Sequence, residues 1–292
     1  MRIDVHAHWL PGDRPEWWAR LGDGRVVDDS YWSLERRTAL LDELGIDVQV
    51  LSPFPALLPW WAPADEALDW CRAMNEALAS AVGVRFRALG IVPLQDCSLA
   101  VAELERIRDL GLAGVEVGTA VDERRTFADA AVDDFLAACA ELELPVLLHP
   151  NRPNPFGPTR PPLDAGLWRP SDTALVVGER LLRGWEAPAG LRVCIAHGGG
   201  SLLWHWSRVA TIAGRPAELP EWISVDTAGC TERQVDYLVE TVGSGRVLLG
   251  TDLPAGRRPG IEALLDALSA SPSGPAICAG HSAHLLAGMA VR

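Results

Sequence analysis

The chain has 292 residues, 48% of them hydrophobic and 22% charged, and a net charge of -13. That composition suits one large soluble domain, taken as residues 1–292. An acidic chain without a basic stripe excludes nucleic acid as the natural partner, because a phosphate backbone would be repelled. All 26 basic residues are arginine, so Schiff-base catalysis on a lysine amine is impossible. A carbamylated lysine bridging two metals is equally impossible, and a one-metal site becomes the better expectation for a metal enzyme.

The six cysteines are scattered and form no CxxC pair, a pattern of reduced thiols and a cytoplasmic setting more than of a disulfide framework. No apolar run of about 18 residues predicts a membrane span. The opening MRIDVHAHW has no signal-peptide pattern and already reads as a strand.

Short β-branched runs alternate with longer amphipathic stretches. Strands are predicted at 2–7, 47–52, 86–92, 113–117, 145–149, 191–196, 222–226 and 246–250, with helices between them at 33–45, 64–83, 98–111, 131–143 and 231–243. Ser33 or Asp65 is expected as an N-cap, and Gly45 and Gly111 as left-handed helix ends. Residues 9–32 and the proline-rich 150–170 read as long loops, the second a stiff wall. Eight strands alternating with helices predict an α/β fold, the closed (β/α)8 TIM barrel. The rival open sheet would carry a GxGxxG after its first strand, and here that strand runs into HAHWLPGD.

In a parallel barrel the C-terminal strand ends meet at one mouth. Four of the seven histidines lie at such ends: His6 and His8 on strand one, His149 on strand five and His197 on strand six, with Asp252 after strand eight. Alternate residues of a strand face the same side, so His6 and His8 can aim two imidazoles at one ion, and His149 and Asp252 can complete the set. Mixed imidazole and carboxylate ligands suit Zn2+, with Fe2+ or Mn2+ as alternatives. Alone, HAH would be a chance pair and Asp252 a helix cap; together at one rim they point to a metal.

His197 lies in AHGGGS, whose glycines leave the backbone open to a substrate. It is expected to take the proton of a metal-bound water, although a fifth ligand or a core histidine remains open on the residues alone. His205, His281 and His284 fall in helical segments and are read as structural. Trp9, Trp60, Trp61 and Trp168 fall in loops.

DVHAHWLP, the HP at 149–150, AHGGGS and GTDLP resemble, in order, the motifs of the amidohydrolase superfamily, and more narrowly its aminocarboxymuconate-semialdehyde decarboxylase branch. RRTALLDELGIDVQVLS and LRVCIAHGGG extend the resemblance over nearly the whole chain. It implies one Zn2+ held by His6, His8, His149 and Asp252, with His197 acting on the bound water without ligating.

The resemblance further implies that Arg37, or Arg36 in the neighbouring register, clamps a substrate carboxylate. Arg208 would reach the neighbouring subunit of a homodimer. Asn151 and Trp168 are expected to bind substrate. Where the branch carries Trp and Asp after HP, this chain has Asn151 and Arg152; LPAGRRPG after strand eight has fewer aromatics, and GHSAH replaces Gly-Asn-Ala. These changes bear on the substrate. The expected activity is non-oxidative decarboxylation of a small unsaturated or aromatic carboxylic acid. The alternatives are hydrolysis of an amide, lactone or imine with the same water, and a non-catalytic ligand-binding barrel.

Overall fold

The computed structural model describes residues 1–20, 29–155, 157 and 160–280; His281 and His284 lie outside them. Eight strands form one parallel sheet in sequence order: β1 (Ile3–His8), β2 (Val48–Ser52), β3 (Phe86–Gly90), β4 (Gly114–Gly118), β5 (Val146–His149), β6 (Val193–Ile195), β7 (Ile223–Asp226) and β8 (Val247–Leu248). The last strand returns to the first. Val5 N–H donates to Leu249 O at 2.8 Å and His8 N–H to Leu253 O at 2.6 Å, so the sheet closes into a (β/α)8 barrel with helices between its strands. Each predicted strand is present within a few residues of its expected bounds.

Two apolar layers hold the ring. Inside lie Ile3, Val5, Val50, Leu147, Cys194 and Leu248. Outside, between strands and helices, lies a larger layer including Leu41, Met74, Leu104, Phe135, Val193 and Leu264. Burying each such side chain contributes about 1.5–3 kcal/mol, which makes the ring a rigid mount for whatever projects from its rim.

One irregularity aims the two histidines of β1. In β1, Ile3 and Asp4 pair with Val48 and Gln49, but Ala7 and His8 pair with Leu51 and Ser52, so β1 has gained one residue in between. A bulge of this kind re-aims the side chains beyond it. Strict alternation from Ile3 and Val5 would have turned His6 outward; the bulge brings both His6 and His8 inside.

The helix Leu34–Leu44 starts at Ser33, whose side chain accepts from Arg36 N–H, and ends at Gly45 with φ 65°. Asp65 is not a cap: the helix Ala64–Ala81 begins after Pro63, and Asp65 sits within its first turn, where a carboxylate complements the helix dipole. The expected loop at 150–170 is also shorter than its prolines suggested. Pro161–Leu163 is helical and Asp164–Trp168 a π-turn, running into the helix Arg169–Leu182, because proline is tolerated in a helix's first turn. Among the described residues, no helix is long and apolar enough to cross a membrane.

Candidate metal centre

His6 and His8 from β1, His149 from the end of β5 and Asp252 from beyond β8 offer four ligand atoms that all lie within 4.8 Å of one another. His8 Nε2 is 3.2 Å and His6 Nε2 3.7 Å from Asp252 Oδ1, and the two Nε2 atoms are 3.3 Å apart. Barrel closure delivers the aspartate, since Asp252 N–H donates to His6 O at 2.9 Å.

The opposite nitrogen of each imidazole explains the convergence. His6 Nδ1 lies 2.7 Å from Asp226 Oδ2, His8 Nδ1 2.9 Å from Pro53 O, and His149 Nδ1 3.0 Å from Pro150 O. Each of those oxygens accepts, so each Nδ1 carries the proton and each Nε2 lone pair points at the common centre. Histidine ligands are oriented this way by an outer acceptor. The donor set fits a divalent cation, and the centre is a divalent-metal site.

The electrostatics agree. Burial pulls His6 down, but the Asp226 carboxylate, helped by Asp252, overrides it and raises the imidazole to about 9. Burial lowers His8, and lowers His149 well below the usual imidazole range, with neighbouring imidazoles adding to both. Burial would raise Asp252, yet His8 and the other imidazoles hold it at about 2. The ligands are thus poised for a cation, with one removable proton on His6.

Asp226 was not singled out from sequence, although it ends a predicted strand as Asp252 follows another. It grips His6 through one oxygen, and through the other it accepts from His197 N–H at 2.8 Å and Ala228 N–H at 2.9 Å. This matters because His197 has left-handed backbone angles, φ 56° and ψ 50°. That conformation costs a non-glycine residue about 1–2 kcal/mol, and Asp226 helps hold it. His197 Nε2 then lies 3.2 Å from His149 Nε2. His197 stands outside the four-ligand set; burial lowers its pKa, with Asp252 opposing.

The structure separates the remaining expected residues. Arg37 is wholly buried on the outer side of the barrel. Its guanidinium donates to Gln49 Oε1 at 2.9 Å, His8 O at 2.9 Å and Ser30 O at 2.7 and 3.0 Å. A fork filled this way has no face for a substrate carboxylate, so the expected clamp is corrected to a structural tie. Arg36 is exposed and pairs with Asp29 at 3.3 Å. Arg208 is exposed on the helix Leu202–Ala213, and His205 is exposed on the same helix.

Trp168 is half-buried and donates from Nε1 to Arg152 O at 3.1 Å. Asn151 stands beside β4, its Oδ1 accepting from Ala120 N–H at 2.8 Å. Sequence reading also passed over Glu116, fully buried on β4; a carboxylate inside the apolar run AGVEV was the signal. Burial raises it to about 8, against the pull of His6.

Two cavities flank the centre. One of about 700 Å3 is lined by His197, Gly198, Trp204, Cys230 and Arg233, among others. The other, about 480 Å3, reaches Asp252 and Arg257 and shares Gly229 and Cys230 with the first. A small molecule therefore has room beside both His197 and the Asp252 carboxylate.

The sequence model of the amidohydrolase family matches residues 3–270. The chain is 28% identical over 296 residues to 2-amino-3-carboxymuconate-6-semialdehyde decarboxylase of Dictyostelium discoideum, covering 87% of this chain and 82% of that protein. It is 27% identical over 258 residues to γ-resorcylate decarboxylase of Polaromonas sp. strain JS666, covering 75% and 76%. The crystal structure of dihydroxybenzoic acid decarboxylase from Polaromonas sp. JS666, with bound manganese and 2-nitroresorcinol, superposes with a TM-score of 0.74 at 23% identity, covering 98% of this chain and 96% of that one. This last similarity is one of fold.

Proposed function

The chain belongs to the amidohydrolase family, and on that premise we propose that it is a metal-dependent, non-oxidative decarboxylase of a small unsaturated or aromatic carboxylic acid. The observation that carries this reading is the convergence of three Nε2 lone pairs and the Asp252 carboxylate at one point beside His197. The decarboxylase names of the relatives at 28% and 27% identity support the choice of reaction.

When bound, the ion would polarise a substrate oxygen and lower the pKa of a water. The protein's own residues do the rest. His6, His8, His149 and Asp252 hold the ion, and Asp226 orients His6 and the His197 backbone. His197, neutral near pH 7, accepts and returns a proton at Nε2. In decarboxylation the bond to the carboxylate breaks, its electron pair stays on the substrate carbon, and that carbon takes a proton, which His197 is placed to relay. Three imidazoles and one carboxylate favour Zn2+; manganese, named for the similar crystal structure, is the first competitor.

We assign the active unit as a homodimer built on the helix Leu202–Ala213. Trp204 is 68% exposed and Ile212 78%, with Arg208 between them at helical spacing, and Leu175 of the adjoining helix is 66% exposed. An apolar face with a central arginine suits a contact in which Arg208 serves the neighbouring subunit. The free cysteines suit a cytoplasmic setting.

The test is a panel of unsaturated and aromatic acids turned over by metal-analysed protein, with carbon dioxide as the readout and His197→Ala as control. Carbon dioxide release that the variant abolishes supports the reading. Turnover of amides, lactones or imines without carbon dioxide would replace it with the hydrolase.

A further inference from the structure

The stretch after β8, LPAGRRPG, carries two successive arginines whose surroundings differ. Arg258 is filled: its guanidinium meets Glu43 at 2.7 Å and Glu262 at 2.8 Å. Arg257 is exposed, and its side chain makes no hydrogen bond, ion pair or ring contact among the described residues. It stands at the N-cap of the helix Arg258–Ala270, the end at which a helix dipole disfavours a cation. In a chain with 39 acidic residues against 26 arginines, a cation left there without a carboxylate has no structural reason on view.

The backbone fixes where this guanidinium starts. Asp252 O accepts from Gly256 N–H at 2.6 Å, so a single turn tied to the metal ligand's own carbonyl brings the chain round to Arg257. Gly256 makes the turn possible, because a Cβ there would fall 2.2 Å from Thr251 O. The Asp252 side chain is 22% exposed, whereas those of His6 and His8 are 0% and 2% exposed, and His149 is buried as well. The open edge of the ligand set is therefore the Asp252 side, the side from which Arg257 springs.

Arg257 and Asp252 line one cavity, of about 480 Å3. Of the two cavities flanking the centre only this one is lined by a metal ligand; the other offers Arg233 beside His197 but none of the four ligands. Glu232 is the one further charged side chain on the described wall, and no ion pair joins it to Arg257. An unfilled guanidinium fork matches a carboxylate with two parallel N–H donors, which the filled fork of Arg37 cannot do. We propose that Arg257 receives the substrate's carboxylate and holds it in this cavity beside Asp252, the role expected of Arg37 from sequence. Charge leaves a carboxylate as carbon dioxide forms, so a guanidinium that holds it favours the ground state, and its loss should appear in KM and not in kcat. This assignment rests on the acid substrate of the decarboxylase reading, and binding is measured apart from turnover so that the two can fail separately.

Metal-loaded protein is titrated calorimetrically with benzoate and crotonate, and with their neutral amides, benzamide and crotonamide. Arg257→Gln should weaken both carboxylates by about 10–100-fold, the worth of a hydrogen bond to a charged group, and both amides by less than about threefold, with metal content unchanged. Arg258→Gln removes the same charge one residue away and should leave the carboxylates within about threefold. Glu232→Gln, which removes the competing carboxylate of the cavity, should tighten them by about two- to fivefold. For any acid that is turned over, Arg257→Gln should raise KM by about 10–100-fold and leave kcat within about threefold.

Carboxylate binding unchanged in Arg257→Gln overturns the anchor, whatever the turnover. Equal weakening by Arg258→Gln also overturns it, as an effect of overall charge. So does a lowered melting temperature of Arg257→Gln with amides weakened as much as acids, the mark of a structural arginine. A wild type that binds neither acid overturns it as well. If the acids bind through Arg257 but no acid tested releases carbon dioxide, the anchor stands and the decarboxylase reading falls.

Discussion

Both faces of β1 and β2 carry buried polar side chains, yet the two sets do opposite things. On the outer face a chain of bonds runs from Arg37 through Gln49 to Asp4 and Thr251. Gln49 Nε2 donates to Asp4 Oδ2 at 2.7 Å, and Thr251 donates to the same carboxylate through Oγ1 at 2.6 Å and N–H at 3.0 Å. Donors and acceptors are matched, and the network sews the helix Leu34–Leu44 and β2 to the seam where the barrel closes. On the inner face, His6, His8, His149 and Asp252 aim acceptor atoms at one another. A polar cluster whose bonds are filled holds a fold together, whereas one whose lone pairs converge awaits a cation.

Substitutions on the two faces should break this comparison in different observables. The largest effect is expected on the inside. His197→Ala should lower kcat by about 10^3-fold, within the usual range for an acid–base group, while metal analysis still finds the ion. Loss of the ion in that variant would make His197 a ligand.

Next comes the outside. Arg37→Ala strands the carbonyls of Ser30 and His8 and the Gln49 side chain, and should destabilise the fold by about 3 kcal/mol, as for removing one member of a buried network. Denaturant unfolding measures this. A normal melting curve with KM raised alone would restore the carboxylate clamp and erase the distinction between the faces.

Asp226→Asn lies between the two, since it neither ligates nor joins the seam. It should weaken metal affinity by about 10–100-fold, the usual worth of an outer partner, as read by competition with a chelator.

The smallest effect is a slope. His6 is raised to about 9 in the ion-free protein, so below that pH the ion must displace a proton from its Nε2. Affinity should rise about tenfold per pH unit from near 7 to about 9, where one unit corresponds to 1.36 kcal/mol, and level off above. Asp252, at about 2, adds no slope in this range. Chelator competition across pH gives the curve, and a flat one would mean that His6 Nε2 carries no proton for the ion to displace in this range.

Much of the site was legible before any coordinates. His6, His8, His149, His197 and Asp252 could be grouped because a parallel barrel gathers its C-terminal strand ends, so predicted strand bounds sufficed to place them at one rim. Asp226 and Glu116 were within reach of the same argument but lay in runs that read as ordinary strand. Arg37 misled because an arginine on a helix has the same pattern whether its fork meets a substrate or a ring of carbonyls. Pro161 and Pro162 misled because proline density reads as loop even where it only opens a helix.

The sequence by itself determined the repeating strand and helix order, the absence of any lysine and the residue types that could hold a cation, since these follow from local periodicity and chemical identity. Tertiary structure alone decided which way those side chains face. The bulge in β1, the turn of His197 into the left-handed region under Asp226, and the burial of Arg37 all depend on contacts between strands far apart in the chain, and hydrogen-bond partners at such distance leave no local pattern to read.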